Sequence, residues 1–159
     1  MTYNDIITDI ITRYPDLDTA GFDRLERNSS SDWSIHEGAF WAALDYVKSL
    51  RVLTVYPAHP STSYGFKHDV EELVRDLNDY VYCPNGVFIA ALICAKIPFR
   101  RADINAVPRV SRGSRYTRYD RRGRFRIPPM PAMVAFRKIR ADVDDLHRRI
   151  DPTSLIKTT

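Results

Sequence analysis

Ser61 to Phe99 reads S-T-S-Y-G-F-K-H-D-V-E-E-L-V-R-D-L-N-D-Y-V-Y-C-P-N-G-V-F-I-A-A-L-I-C-A-K-I-P-F, and its two halves decide the fold. The first half places Tyr64, Val70, Leu73, Val74 and Leu77 on one helical face. Lys67, Asp69, Glu71, Glu72, Arg75 and Asp76 fall on the other, the pattern of a helix with one solvated side. Pro84-Asn85-Gly86 then makes a tight elbow. Val87 to Ala95 beyond it has no polar side chain, and a helix apolar all round must be wrapped by other elements. The stretch predicts a mainly α fold: one compact helical domain over 1–159, built around a buried central helix at about 85–96. A basic irregular or β-hairpin arm (about 100–127) and a C-terminal amphipathic helix complete it.

The flanks supply the wrapping. Apolar residues at 3, 6, 7, 10, 11 and 14 make one face of a first helix, which Pro15 ends. A short helix over 18–27 is compatible with Leu17, Phe22 and Leu25, before the loop Asn28 to Ser31. Ser34-Ile35-His36-Glu37 fits the capping box S-x-x-E and predicts a helix over 35–50. Its buried stripe would be Ile35, Ala39, Ala42, Tyr46 and Leu50, widened by Phe40, Leu44 and Val47. Val52 to Tyr56 is a strand or an extended connector. Asp120-Arg121-Arg122-Gly123 has type I turn chemistry, so a hairpin is expected over 116–127. After the stiff Pro128 to Pro131, Phe136, Ile139, Val143, Leu146 and Ile150 recur at 3,4,3,4 spacing. A helix over 132–150 follows, suited to packing on the bundle or to a homodimer seam.

Charge is unevenly distributed. The whole chain carries +4, yet Arg100 to Arg126 holds ten arginines against Asp103 and Asp120, a net of +8 that leaves −4 for the rest. Guanidinium groups bind phosphate bidentately and stack on bases, and aromatic planes hold unpaired bases. The expected function is therefore that of a non-enzymatic, nucleic-acid-binding accessory protein. Arg112, Arg115, Arg118, Arg121, Arg122, Arg124 and Arg126 would contact phosphates of DNA or RNA, with Tyr116, Tyr119 and Phe125 stacking or wedging among them. The alternative is a protein-interaction module, a regulator or inhibitor of a host complex, whose arm grips an acidic or nucleic-acid-binding host protein. A basic loop that only neutralises the acidic body is the third account.

Other chemistries find little support. The elbow resembles a helix-turn-helix, but a recognition helix must present polar side chains to base edges, and Val87 to Ala95 presents none. His68 and Glu71 give at most two metal ligands, and Tyr64, Lys67 and His68 form no oriented acid–base set. Phosphate-loop, nucleophile-elbow and dinucleotide glycine motifs are absent from the sequence. No cofactor or metal is expected. Cys83 and Cys94 are unpaired in spacing and are expected as buried free thiols. The amino-terminal residues lack a basic secretory region, and the longest apolar run is far short of the ~20 residues of a membrane span. A cytoplasmic protein is expected.

Ser63-Tyr64-Gly65-Phe66-Lys67-His68, paired with Tyr82-Cys83-Pro84-Asn85-Gly86-Val87-Phe88-Ile89-Ala90-Ala91-Leu92, resembles small bacterial proteins of phage and plasmid type. Their pattern is S-Y-G-x-K-H followed by Y-x-x-N-G-x-x-I-A-A. The resemblance implies a mobile-element origin and brings no catalytic residue with it; the arginine segment and the terminal helix lie outside it. A physical account of the pair is that Gly65 admits a close backbone and that Asn85-Gly86 starts the buried helix. Lys67 and His68 would then cover the elbow by hydrogen bonding to its carbonyls.

Overall fold

The buried helix is the axis of the structure. In the computed structural model, which describes residues 2–22, 32–76 and 80–115, it runs from Asn85 to Cys94. Every residue from Asn85 to Ile93 is buried. Taking Val87, Phe88, Ile89 and Leu92 out of water contributes ~1.5–3 kcal/mol per side chain. In chain order the helices are α1 (Tyr3–Arg13), α2 (Glu37–Ser49), α3 (Ser63–Asp76) and α4 (Asn85–Cys94). A two-stranded antiparallel hairpin follows, β1 (Phe99–Ala102) and β2 (Asn105–Pro108). Helix α4 packs chiefly against α2, with α3, α1 and β2 closing the remaining sides. The Phe66 and Phe88 rings stack at 6.0 Å in this core. No helix among the described residues is long and apolar enough to cross a membrane.

Local chemistry sets the element ends. Thr2 and Asp5 form a reciprocal capping box at the start of α1. The box expected at Ser34 and Glu37 is not formed. Asp32 instead accepts from the Ser34 N–H and caps a 3₁₀ turn, Trp33–His36, so α2 begins only at Glu37. The tighter winding carries Ile35 off the core face, and it is 73% exposed rather than buried. The rest of the expected α2 stripe, Ala39 to Leu50, is buried.

Two further expectations change. Asp18 does not open a helix, because its carboxylate accepts the Ala20 and Gly21 N–H groups and closes a turn between the bridged residues Leu17 and Phe22. On α3, Val70, Leu73 and Val74 are buried as expected, but Tyr64 is 54% exposed and Lys67 and Asp69 are buried. The basic segment begins inside the fold: Arg100 and Arg101 lie on β1, which turns at Asp103 and Ile104 with Asp103 in the left-handed region (φ 61°). Val110 is buried and bridges Val52. The hairpin over 116–127, the helix over 132–150, Leu77 and residues 23–31 lie outside the described residues.

Candidate nucleic-acid interface

The arginine segment divides according to its partners. Arg115 is held inside the protein. Its Nε and Nη2 donate to Asp69 at 2.7 and 2.6 Å, Nη1 to Ser61 Oγ at 3.0 Å and Nη2 also to the Gly65 carbonyl at 3.2 Å. Its guanidinium lies 5.0 Å from the centre of the Phe66 ring. The hydrogen-bonded carboxylate of Asp69 raises the Arg115 pKa above its ordinary value. Asp69 also accepts from the Tyr46 hydroxyl at 2.7 Å, so both of its oxygens are used. Gly65 thus serves through its carbonyl. An added Cβ there would meet only the Arg115 nitrogens, at 3.9 Å or more, so no close backbone approach requires a glycine.

Arg112 is exposed on the short 3₁₀ turn Arg112–Ser114. The other expected contacts, Tyr116, Arg118, Tyr119, Arg121, Arg122, Arg124, Phe125 and Arg126, lie outside the described residues. Arg115 is therefore the fixed base from which they follow.

A second cationic surface lies at the opposite end of α4, and the sequence pattern did not single it out. Strand alternation puts Phe99 and Arg101 on one side of β1. That side faces the end of α1, where Arg101 pairs with Asp16 and lies 4.1 Å from the centre of the Phe22 ring. Tyr14, Phe22 and Phe99 cluster with ring centres 6.1–6.5 Å apart. A groove of about 490 Å³ opens here, lined by Arg13, Tyr14, Ile93, Lys96, Ile97, Pro98, Phe99 and Arg101. Burial raises the half-buried Cys94 thiol above its ordinary value, and the Lys48 and Arg13 cations only partly offset this.

Lys96 is the unusual member. Helix α4 ends in a Schellman arrangement: the Ile97 N–H reaches the Leu92 carbonyl and the Lys96 N–H the Ile93 carbonyl, both at 3.0 Å. The arrangement requires a left-handed residue, commonly glycine, and Lys96 occupies it at φ 56°. Lys96 is exposed and forms no ion pair among the described residues.

The paired motif builds the elbow. Asn85 Nδ2 donates to the Ala20 and Ile104 carbonyls and to Asn105 Oδ1, at 3.1–3.2 Å. Its Oδ1 accepts from Ser63 Oγ at 2.7 Å, and Ser63 Oγ accepts the Ala106 N–H at 3.0 Å. One amide thus joins the 18–21 turn, α3, α4 and the hairpin. The close backbone approach occurs at Gly86, where a Cβ would stand 1.7 Å from the Asp18 carbonyl oxygen. Lys67 and His68 do not reach the elbow carbonyls. They meet Glu71 at 3.2 and 2.8 Å, and Glu71 accepts the Cys83 N–H at 3.1 Å. Burial pushes the Glu71 carboxyl up, but the bonds from Cys83, His68 and Lys67 outweigh it and leave the carboxyl below its ordinary value. The Lys67 ammonium sits about 5 Å from the centres of the exposed Tyr64 and Tyr82 rings. Tyr80, Tyr82 and Ile35, all exposed, line a further groove of about 410 Å³ with His36 and Glu37.

Comparison with protein-family models, with curated proteins and with solved structures gave no match.

Proposed function

We propose that this is a nucleic-acid-binding accessory protein of phage or plasmid type, working without catalysis through its arginine segment. The observation that carries the proposal is the anchored base at Arg115. Four hydrogen bonds fix the start of a stretch in which Arg118, Arg121, Arg122, Arg124 and Arg126 follow within eleven residues, with Tyr116, Tyr119 and Phe125 among them. Cations tethered to a rigid point reach neighbouring phosphates with less loss of chain freedom than cations on a free tail. The likeness of the Ser63–His68 and Tyr82–Leu92 pair to phage and plasmid proteins supports the mobile-element part.

The test is a binding series with duplex DNA, single-stranded DNA and RNA against salt. Affinity should fall linearly on log–log axes, with a slope of about −0.9 per neutralised phosphate on duplex. Reversing Arg121, Arg122 and Arg124 to Glu should abolish binding and leave the melting temperature nearly unchanged. Absence of binding to all three at low salt overturns the proposal.

One observation favours a second role, docking to a host protein. Tyr64, Tyr80, Tyr82 and Ile35 are 54–82% exposed, and shared contacts link them around Lys67 and the 410 Å³ groove. Exposed tyrosines in one patch are characteristic of protein interfaces. Capture of a host protein that is lost on Tyr80→Ser and Tyr82→Ser substitution supports this role.

A further inference from the structure

We infer that the groove between the ends of α1 and α4 and strand β1 is a subsite for one unpaired nucleotide, so that single-stranded nucleic acid is bound in preference to duplex. The inference rests on the nucleic-acid function proposed above and names the ligand class. Three features meet in the groove. Its volume of about 490 Å³ falls within the range of small-molecule sites and suits a nucleotide-sized unit. Tyr14 and Phe99 give it half-buried aromatic walls, with Ile97 and Pro98 beside them. Cations stand at its rim.

The charge balance leaves Lys96 available. Asp9 is taken by Arg13 and Asp16 by Arg101, whereas Lys96 has no ion-pair partner among the described residues. The ammonium is not needed to cap α4, because the carbonyls of Ala91, Leu92 and Ile93 already accept the N–H groups of Ala95, Ile97 and Lys96. Lys96 stands in a left-handed position that glycine fills without strain, and its ammonium has no task in the fold among the described residues. Arg13 is over half exposed in a surface pair with Asp9, so it can turn to a phosphate at little expense.

Aromatic walls beside cations distinguish unpaired from paired strands. A duplex buries the faces of its bases and offers the groove only phosphate, whereas an unpaired base can lie against Tyr14 and Phe99 while its phosphate meets Lys96 and Arg13. An acidic peptide would use the cations and bring no planar group to the aromatic walls.

The test compares the full chain with Arg13→Gln/Lys96→Gly, both at exposed positions, and with the Arg121/Arg122/Arg124→Glu variant. Fluorescence anisotropy is read with a labelled oligothymidine, a duplex of equal length and a poly-glutamate peptide. The groove variant should bind oligothymidine at least tenfold more weakly and change duplex affinity by less than threefold, while the arm variant weakens both. A 5-iodouracil oligonucleotide should photocrosslink to Tyr14 or Phe99. Equal losses on single strand and duplex, an unchanged single-strand affinity, or crosslinks only elsewhere would each overturn the subsite while leaving the arm's role standing. If wild type binds poly-glutamate but neither nucleic acid, both proposals fall together.

Discussion

The two ends of α4 make opposite use of charge. At its amino end, polar and ionic groups are bound into the protein: Ser63 with Asn85, Asp69 with Arg115, and Lys67, His68 and the Cys83 amide with Glu71. At its carboxyl end Lys96 lacks an ion-pair partner among the described residues, and the pair holding Arg13 is exposed on both sides. The same residue types hold the structure together at one end and line an open groove at the other. Burial and partners separate the two uses; residue identity does not.

Substitutions sharpen the contrast, and the largest effect is expected at the elbow. Gly86→Ala would drive a methyl into the Asp18 carbonyl, so backbone must move, and a loss of about 3 kcal/mol or more is expected in chemical denaturation. A loss under about 1 kcal/mol would show that the 18–21 turn yields easily and that the elbow is not rigid. Next is Asp69→Asn, which leaves the part-buried Arg115 without its counter-charge. Breaking a buried pair costs ~3–5 kcal/mol, and with Arg115 about a quarter exposed the expectation is about 2. A double-mutant cycle with Arg115→Met checks that the loss belongs to the pair.

Glu71→Gln should cost about 1–2 kcal/mol at neutral pH through weakened charged hydrogen bonds. Its pH dependence has a definite sign. The carboxyl titrates lower in the folded than in the unfolded chain, so the unfolded chain takes up the proton first as pH falls below the ordinary value of 4.5. The stabilisation is therefore complete above that value and disappears through the depressed folded value. Melts of wild type and variant should converge there, and a gap that stays constant as pH falls below 4.5 would contradict the assignment. Smallest is Lys96→Gly, which should stabilise by about 0.5 kcal/mol by relieving the left-handed backbone, less the favourable charge at the helix end. A gain in melting temperature with a loss of single-strand binding would mark the two ends of α4 as different in kind.

Much of this was legible in the sequence. Val87 to Ala95 had to be buried because no polar side chain could face water, and α1 and most of α2 followed from their spacing. The failures have physical causes. Ile35 left the core when Asp32 supplied the cap and a 3₁₀ turn changed the winding. Asp69 looked solvated because the partner that buries it lies 46 residues away, at Arg115, and Lys67 because Tyr82, which lies over its ammonium, comes from the segment after α3. The pairing with Asp69 gives Arg115 a structural task that its place among ten arginines did not suggest. The hairpin of β1 and β2 turns at Asp103 and Ile104 without glycine or proline, so it lacks the turn chemistry that Asp120 to Gly123 carries. With β1 unplaced, the convergence of Phe99, Arg101, Arg13 and Lys96 is not visible in the linear order of the sequence.

The single amide at Asn85 also bears on how the chain folds. It touches the carbonyl of Ala20, 65 positions away, and backbone or side-chain groups from Ser63 to Asn105. Closing loops of that length costs entropy before any of these bonds forms, so a nucleus built only of local helices gains nothing from them. The junction should therefore form late in folding. The amide protons of Phe22, Gly86 and Ala106, each donated across this junction, should show one common free energy of opening in hydrogen exchange, that of the whole domain rather than of fraying of any one element.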